Sequence, residues 1–596
     1  MPQQTLERPE AAPPRPSGGI PAAGFPGTVP KGRLRRIAAV ALAPFVVLFL
    51  RATHASWTAT GDYSLIEMRA RDVGTSSTPL VGPYSRFGWN HPGPALFYAF
   101  AAPYRAFASH GTGLLAGAAI VGAVSTIAIV VVFIRRSPTL LVAAFGLLLF
   151  ASLVRTLGAG FLWDPWNPYV IVLPFLAFVC FAWWCATGEA RALPFAIGFG
   201  SFVLQTHVSL GLEVVALSVL ALGWLMLAHH DAQQRRGLHR AQRATFIVVA
   251  VMWIPPLVQQ FLPGGGNIGE LLEFWTQHHR NTVGFARAAR LIAPEFALPA
   301  PWLMHTDRVV PVSGALAAPH FSFPFALVAL TVATVLAWRR RDRFALATCS
   351  VAVTAAVGSW ITFSRIVGVP HPYLVVWSRV IGPLCWFAAA VVVLPPLADR
   401  FRSVTITWTT RAVAAGAVAL LVLVTAGSFT TPAPDPLDNH AASTLFASVL
   451  PELRRLPAPL VVESEFGYSS NAIEGGLIAS SVEHGIDARY SSHVRIMAGD
   501  AHVVSPGSAR TYVYVVINRD VAGYSRDPAW RRIGIYDSLT RPDRAELNQL
   551  NAAVQRATNA GELTAYTAGH PRDVDRLKTL NRRALLAGVF VRVTPA

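Results

Sequence analysis

The chain alternates between long apolar runs and short polar connections up to about residue 430. Many of the runs reach the roughly 20 apolar residues that an α-helix needs to cross a bilayer. We predict an all-α polytopic membrane domain of about eleven transmembrane helices, at residues 37–57, 114–134, 139–157, 169–186, 194–206, 212–227, 246–262, 321–338, 344–361, 380–397 and 412–429.

The charge distribution supports this prediction. The 596 residues carry a net charge of +18, and 53% of them are hydrophobic against 14% charged. Residues 428–596 are close to charge balance, so the positive excess lies in the membrane part, largely in clusters between apolar runs. Such clusters follow the positive-inside rule, whereas nucleic-acid binding needs a continuous basic surface. We therefore exclude nucleic acid as a partner and place the clusters on the cytoplasmic side.

This orientation sets the predicted domain organisation. Residues 1–30, rich in Pro, Gly and Ala, are expected to be a disordered cytoplasmic N-terminus. The transmembrane domain covers residues 31–429, with an outer loop at 58–111. Residues 94–107 are too short and polar to span, so we predict an interfacial helix there. Since nearly all basic residues are arginine, we expect a bacterial plasma membrane protein.

An odd number of spans places residues 430–596 outside the cytoplasm. Apolar, β-rich runs at 459–465 and 511–519 alternate with helical patterns at 472–484 and 542–558. We predict a C-terminal extracytoplasmic α/β domain. The region contains no glycine-rich motif of the kind that binds nucleotide phosphates.

The first outer segment concentrates ionisable side chains between two apolar runs. We predict a helix that begins near Asp62, where the helix dipole stabilises an ionised carboxylate. Glu67 and Arg71 are four residues apart and are the predicted structural pair. Asp62 faces another side, and a carboxylate in a water-filled cavity can act as a base. Asp62 is therefore the candidate catalytic base, with helix capping as the alternative.

Several elements follow one another along this part of the chain: an acidic residue after the first span, a first interfacial helix, a tyrosine-containing loop, and the step HPGP at 91–94 into a second interfacial helix. Over residues 37–230 this order resembles the GT-C superfamily of membrane glycosyltransferases. Relatives in that superfamily include protein O-mannosyltransferases, the aminoarabinose transferase of lipid A, and mycobacterial-type arabinofuranosyl- and mannosyltransferases. The segment DPWNP at 164–168 is similar to their acidic second outer loop.

The resemblance implies a GT-C-like fold and a polyprenyl-phosphate sugar as donor. It matches Asp62 to the acid of the first outer loop and His91 to a position that is often lysine and contacts the donor phosphate. The chain departs from the pattern at both places. It has one acid where many relatives have two, and HPGP where they have KPP. His91 before Pro92 also fits a simple turn.

A lipid-phosphate sugar carries its own leaving group, so such an enzyme needs a base for the acceptor hydroxyl and cations for the departing phosphate. The planar fork of arginine suits a phosphate, and we rank Arg86, Arg365 and Arg379 first. Asp164 and His207 complete the predicted substrate-binding residues. The competing interpretations are arginines that snorkel to the interface and an Asp164 that caps a helix.

Aromatic residues of the outer segments are candidates for packing against a sugar ring, with an interfacial aromatic belt as the alternative. They are Tyr84, Trp89, Trp163 and Trp166.

The predicted function is transfer of a sugar from a polyprenyl-phosphate donor to a glycan, lipid or protein of the cell envelope. We expect no cofactor and no metal site. The expected partners are membrane lipid, the lipid-linked donor and a glycan or glycoprotein acceptor. Two alternatives are a secondary transporter or lipid flippase, which internal repeats would favour, and a non-catalytic envelope scaffold.

Overall fold

The structure is a computed structural model of the chain. It describes residues 30–229, 232–277, 281–304, 315–316, 322–401, 403–465, 467–504, 508–518 and 520–593. The predicted disordered N-terminus, up to residue 29, lies outside the described residues.

Helices make up the first part of the chain, as the apolar periodicity predicts. In chain order they are α1 (Lys31–Ala52), α2 (Asp62–Asp72), α3 (Ala95–Ala106), α4 (Thr112–Arg136), α5 (Leu140–Leu157), α6 (Asn167–Val170), α7 (Val172–Ala186), α8 (Leu193–Thr206), α9 (Gly211–Ala228), α10 (Ala232–Phe261), α11 (Asn267–Thr276), α12 (Phe285–Phe296), α13 (Phe325–Arg339), α14 (Arg343–Ser364), α15 (Ile381–Arg400) and α16 (Ser403–Ser428).

The membrane prediction is confirmed in its coarse form. Within the described residues, eight helical segments are long and apolar enough to cross a membrane, namely Thr112–Arg136, Leu140–Leu157, Asn167–Ala186, Val208–Ala228, Arg236–Phe261, Arg343–Ser364, Val376–Arg400 and Val404–Ser428. Helix α13 is apolar but shorter, at 15 residues. The remaining predicted spans coincide with α1 and α8. The total of about eleven therefore stays a prediction.

Some connections that the sequence predicts on the same side of the membrane contact one another. On the predicted outer side, Arg86 donates to the carbonyl of Val367 at 2.9 Å, and the backbone N–H of Asn90 donates to Asn267 at 2.8 Å. On the predicted inner side, Arg136 donates to the Thr187 hydroxyl at 2.6 Å. Segments far apart in the sequence thus meet at the same end of the helix bundle.

Glycines bring the outer helices close to the bundle. A Cβ on Gly117 of α4 would lie 2.7 Å from the ring of Phe100 in α3. One on Gly122 would lie 2.4 Å from the ring of Phe45 in α1. Since real Cβ atoms do not approach this closely, glycine is required for α1 and α3 to pack on α4. The predicted interfacial helix is therefore α3, and its buried face lies against protein.

The C-terminal part contains α17 (Pro436–Leu453), β1 (Leu460–Ser464), α18 (Tyr468–Glu483), β2 (Ala488–Tyr490), α19 (Arg495–Ala498), β3 (Thr511–Ile517), α20 (Asp520–Tyr524), β4 (Arg531–Asp537), α21 (Arg541–Asn559), α22 (Leu563–Gly569), α23 (Pro571–Arg583) and β5 (Leu586–Val593). The strands form one sheet in the order β2-β1-β3-β5-β4. β1 runs parallel to β2 and β3, and β5 runs antiparallel to β3 and β4.

Helices α17 and α18 bury one face of this sheet. Leu445 and Leu477 pack in the same core as Val462, Val513 and Val589. Residues of β1 and β3 alternate between this face and the other, as half-buried strands do. The predicted small α/β arrangement therefore forms, and its core is separate from that of the membrane helices.

The α/β part packs directly on the outer segment of the membrane part. The N–H of Gly61 donates to the carbonyl of Ala472 in α18 at 3.1 Å. A Cβ on Gly475 of α18 would lie 2.3 Å from the Ser64 hydroxyl. His502 also lies 2.9 Å from the Asp72 carboxylate at the end of α2. These contacts fix α18 against α2, the helix that begins at Asp62.

Candidate functional site

Asp62 is the first residue of α2, as the sequence predicts. Its Oδ1 accepts a hydrogen bond from the Tyr84 hydroxyl at 2.7 Å, and its Oδ2 accepts one from Trp166 Nε1 at 2.8 Å. The preceding Gly61 has a φ of +52°, a conformation that favours glycine. Both carboxylate oxygens are thus oriented by side chains from other segments and are not bonded to the backbone of the helix start.

A cavity of about 150 Å³ lies next to Asp62. At roughly 30 Å³ for each water molecule, it has room for about five waters, the scale of one small polar ligand or the end of a larger one. Its lining residues come from the outer segment, from the loop after α5 and from the α/β part: Gly61, Asp62, Tyr63, Tyr84, Trp166, Asp435, Asn471 and Ala472.

Asp164 lies behind this cavity, and it is not one of the lining residues. Its carboxyl accepts hydrogen bonds from the N–H of Trp166 at 2.9 Å and from the Tyr63 hydroxyl at 3.2 Å. Burial, opposed by the hydrogen bond from the Trp166 N–H and aided by the nearby Asp435, raises the pKa of Asp164 to about 7. Its observed contacts hold two residues that do line the cavity, and the predicted contact with substrate stays a prediction.

Arg86 is two residues after Tyr84, which lines the cavity. It is exposed, and its guanidinium lies 5.0 Å from the ring of Phe87. Tyr373 interacts electrostatically with both Arg86 and Asp62, and its ring lies 4.9 Å from that of Trp166. Burial raises the pKa of Tyr373, and Arg86 opposes this effect. Of the three predicted phosphate-binding arginines, Arg86 is the one that these contacts bring close to the cavity.

Arg365 and Arg379 are placed differently. Arg365 is exposed and immediately follows α14. Arg379 lies beside Glu295 of α12, and its Nη1 atom is buried without a hydrogen-bond partner among the described residues. Burial raises the pKa of Glu295 to about 7, an effect that the charge of Arg379 reduces. Arg86 donates to the carbonyl of Val367, two residues after Arg365, and the predicted phosphate contacts of Arg365 and Arg379 stay predictions.

His91 and His207 form a buried pair away from the cavity lining. Their ring centroids are 4.8 Å apart, and His91 Nδ1 accepts a hydrogen bond from the N–H of Val208 at 3.2 Å. Burial lowers the pKa of His207 to about 4 and holds that of His91 well below its usual range. Both rings are therefore neutral near pH 7, so a phosphate contact by either would depend on an imidazole N–H and not on a positive charge.

The aromatic residues named from the sequence divide into two groups. Tyr84 and Trp166 line the cavity and bind Asp62. Trp89 packs with Phe274 at 5.4 Å, and Trp163 lies under the guanidinium of Arg51 at 5.0 Å. Only the first group has a surface toward the cavity.

The predicted pairing of Glu67 with Arg71 is replaced by another contact. Tyr104 donates to Glu67 at 3.0 Å, and Arg71 contacts the same hydroxyl at 3.5 Å. Glu67 itself hydrogen-bonds to Glu483 of α18. Burial holds the pKa of Glu67 well above its usual range, and Glu483 raises it further. Two carboxyl groups can hydrogen-bond only if one keeps its proton, so this is an acid pair across the joint between α2 and α18.

The sequence pattern missed the contribution of the α/β part to the site. Asp435 precedes Pro436 at the start of α17, a spacing that indicates no more than a helix start. Its φ of +45° is uncommon for a residue with a side chain. Asn471 and Ala472 lie in the first turns of α18. Nothing local in the sequence relates these residues to Asp62, which precedes them by more than 370 positions.

Among the described residues, no group of three or more His, Cys, Asp or Glu side chains is arranged to hold a metal ion. No protein-family model and no curated protein sequence matches the chain. The resemblance to GT-C glycosyltransferases therefore stays a prediction from the order of sequence elements.

Proposed function

We propose that this protein is a membrane glycosyltransferase that moves a sugar from a polyprenyl-phosphate donor to a hydroxyl group of a cell-envelope acceptor, on the outer side of a bacterial plasma membrane. The observation that carries the proposal is the Asp62 carboxylate, which Tyr84 and Trp166 orient at the wall of the cavity. A positioned carboxylate beside a cavity is what proton abstraction from a hydroxyl requires.

In the proposed reaction, Asp62 takes the proton of the acceptor hydroxyl as the hydroxyl oxygen bonds to the anomeric carbon of the sugar. The bond between that carbon and the phosphate oxygen breaks, and its electron pair leaves with the phosphate. Each oxygen of a carboxylate can accept more than one hydrogen bond. The contacts from Tyr84 and Trp166 therefore leave room for the acceptor hydroxyl.

The position of Arg86 supports a phosphate-containing donor. Arg86 is exposed, and its charge acts on Tyr373, whose ring lies 4.9 Å from that of the cavity residue Trp166. A cation placed where the leaving phosphate gains charge stabilises the transition state. The apolar helices next to the cavity supply surface for a polyprenyl chain, and a lipid-linked sugar is the form in which a cytoplasmically made sugar reaches an outward-facing site.

The proposal is tested with purified protein in lipid nanodiscs, offered polyprenyl-phosphate pentoses and hexoses or the matching nucleotide sugars, each with and without EDTA. We expect transfer from a lipid donor that persists in EDTA. We expect Asp62→Asn to lose about 10²- to 10⁴-fold in rate, the usual contribution of a general base. The matched control is Asp487→Asn, an exposed aspartate of the α/β part that pairs with Arg489.

Efficient transfer from a nucleotide sugar, or an Asp62→Asn rate within a few-fold of wild type, would refute the proposal. In liposomes that contain the purified protein, movement of a lipid-linked sugar across the membrane without sugar transfer to an acceptor would instead support the transporter alternative.

A further inference from the structure

The cavity beside Asp62 has one wall that belongs to the α/β part, formed by Asp435, Asn471 and Ala472. We call these three residues the α/β wall. It is held in place by contacts around it: Trp57 Nε1 donates to the carbonyl of Pro434 at 3.0 Å, and Asn439 donates to the carbonyl of Thr58 at 2.8 Å. The soluble part is thus a fixed component of the cavity.

The α/β wall leads from solvent to Asp62. Asn471 is exposed, whereas Ala472 is buried against Gly61. The Asn471 amide also contacts the Ser464 hydroxyl at 3.0 Å, and that hydroxyl donates to Glu474 at 2.5 Å. Polar groups therefore continue from the cavity to the carboxyl end of β1, an edge where α/β folds commonly bind ligands.

Asp435 has an unusual backbone conformation and lacks the usual contact of an N-cap side chain. It occupies the N-cap position of α17, but its side chain makes no capping hydrogen bond to the helix. Its φ of +45° lies in the left-handed region, which costs a residue with a side chain on the order of 1 kcal/mol. Asp435 thus lines the cavity from a backbone conformation that is uncommon for a residue with a side chain, and backbone strain of this kind concentrates at functional sites.

The charged residues that line the cavity are both acidic. Asp62 and Asp435 line it, Asp164 lies behind it, and Asp435 acts electrostatically on Asp164. The cation Arg86 is not one of the lining residues; its charge acts on Tyr373, whose ring packs against the cavity residue Trp166. A second anion next to Asp435 would meet repulsion from these carboxylates, whereas hydroxyl or amino groups would donate hydrogen bonds to them.

We infer that the α/β wall is the acceptor subsite, in which Asp435 and Asn471 bind hydroxyl groups of an acceptor glycan that is uncharged or cationic next to its reacting hydroxyl. This inference rests on the proposed function. It adds that the soluble part selects the acceptor, and that acceptors carrying a carboxylate or phosphate at that position are rejected.

The test compares KM values for acceptor and donor. The acceptors are neutral pentose and hexose oligosaccharides, each paired with the analogue that has a uronic acid in the terminal residue. We expect wild-type protein to prefer the neutral member of a pair. In Asp435→Asn, the acceptor KM should rise about 10- to 100-fold, as for the loss of one hydrogen bond to an ionised group, while the donor KM changes less than about two-fold.

A second variant separates acceptor binding from folding. Glycine adopts positive φ values without strain, so Asp435→Gly should keep or raise the Tm while it raises the acceptor KM as Asp435→Asn does. In both variants the preference for neutral over uronic acceptors should fall about 10-fold, because the repelling charge is gone.

Unchanged acceptor KM in both variants, or equal use of neutral and uronic acceptors by wild-type protein, would overturn the acceptor subsite. If transfer from the lipid donor still occurs in those experiments, the proposed function stands. If no lipid-linked sugar is transferred to any acceptor, it is the proposed function that fails.

Discussion

Replacing Asp164 with asparagine tests whether burial controls the chemistry of this carboxyl. Asp164 is only 4% exposed and contacts the Trp166 N–H and the Tyr63 hydroxyl. Burial raises its pKa from an ordinary 3.8 to about 7. Asparagine has nearly the same shape and cannot ionise, so the variant isolates the contribution of the charge.

The expected magnitude follows from the pKa of Asp164 in the folded and unfolded chains. These values differ by about 3, and each pKa unit corresponds to about 1.4 kcal/mol. Because the folded value is the higher one, the stabilisation is complete below pH 3.8, decreases as the pH rises, and is lost by about pH 7. The wild-type protein thus loses on the order of 4 kcal/mol over this range, and the variant does not.

Asparagine keeps one acceptor for the Trp166 N–H, but its amide group changes the contact with Tyr63. Allowing about 1 to 2 kcal/mol for that hydrogen bond, we expect Asp164→Asn to be more stable than wild type by roughly 2 to 3 kcal/mol at pH 8. At pH 4 it should be equal or slightly less stable.

The assay is thermal unfolding in detergent between pH 4 and pH 8, with Asp487→Asn as the exposed control. The difference in Tm between Asp164→Asn and wild type should increase with pH and level off near pH 7, whereas the control should show no such trend. A Tm difference that is independent of pH, or a variant less stable at pH 8, would refute the argument from burial.

The other predictions concern the acid pair, the phosphate site and the topology. Since the pKa of Glu67 is raised, its pair with Glu483 stabilises the joint between α2 and α18 at low pH, and this stabilisation weakens as the pH rises above 4.5. Glu483→Gln should therefore lose less stability between pH 5 and pH 8 than wild type, as measured by resistance to protease. The same pH profile in both proteins would contradict the acid pair. Arg86→Ala should raise the donor KM about 10-fold or more and Arg86→Lys less, since a lysine keeps the charge without the planar fork; equal donor KM in all three proteins would exclude a phosphate contact. A cysteine at Ser85 should react with an impermeant thiol reagent on intact cells and one at Asp342 should not, because of the arginine clusters; labelling at Asp342 would reverse the topology.

The sequence by itself determined the features that depend on neighbouring residues. Apolar runs of about 20 residues form helices that are long and apolar enough to cross a membrane, because a helix satisfies its own backbone hydrogen bonds in lipid. The short run at 94–107 forms α3, with Pro103 and Arg105 inside it, and the helix after the first span begins at Asp62. The alternating runs near 459–465 and 511–519 form β1 and β3. Each of these signals is a periodicity or a cap that the chain carries locally.

Only the tertiary structure decided which side chains meet. Glu67 and Arg71 have the spacing of a helix pair, but packing of α18 brings Glu483 to Glu67 instead. His91 and His207 pair in the interior and lose their charge there, because burial disfavours the protonated ring. Such outcomes depend on desolvation and on contacts between distant segments, and neither produces a periodic pattern in the sequence.

The cavity itself is the clearest case. The sequence located Asp62 by its place after the first span, but it could not show that Asp435 and Asn471 complete the same cavity. Their approach requires glycine at Gly475, where any side chain would collide with Ser64. A glycine in a sequence is compatible with many structures, and only the packing of α18 on α2 explains the glycine at position 475. The local sequence pattern therefore identified the Asp62 carboxylate, and long-range packing determined which residues surround it.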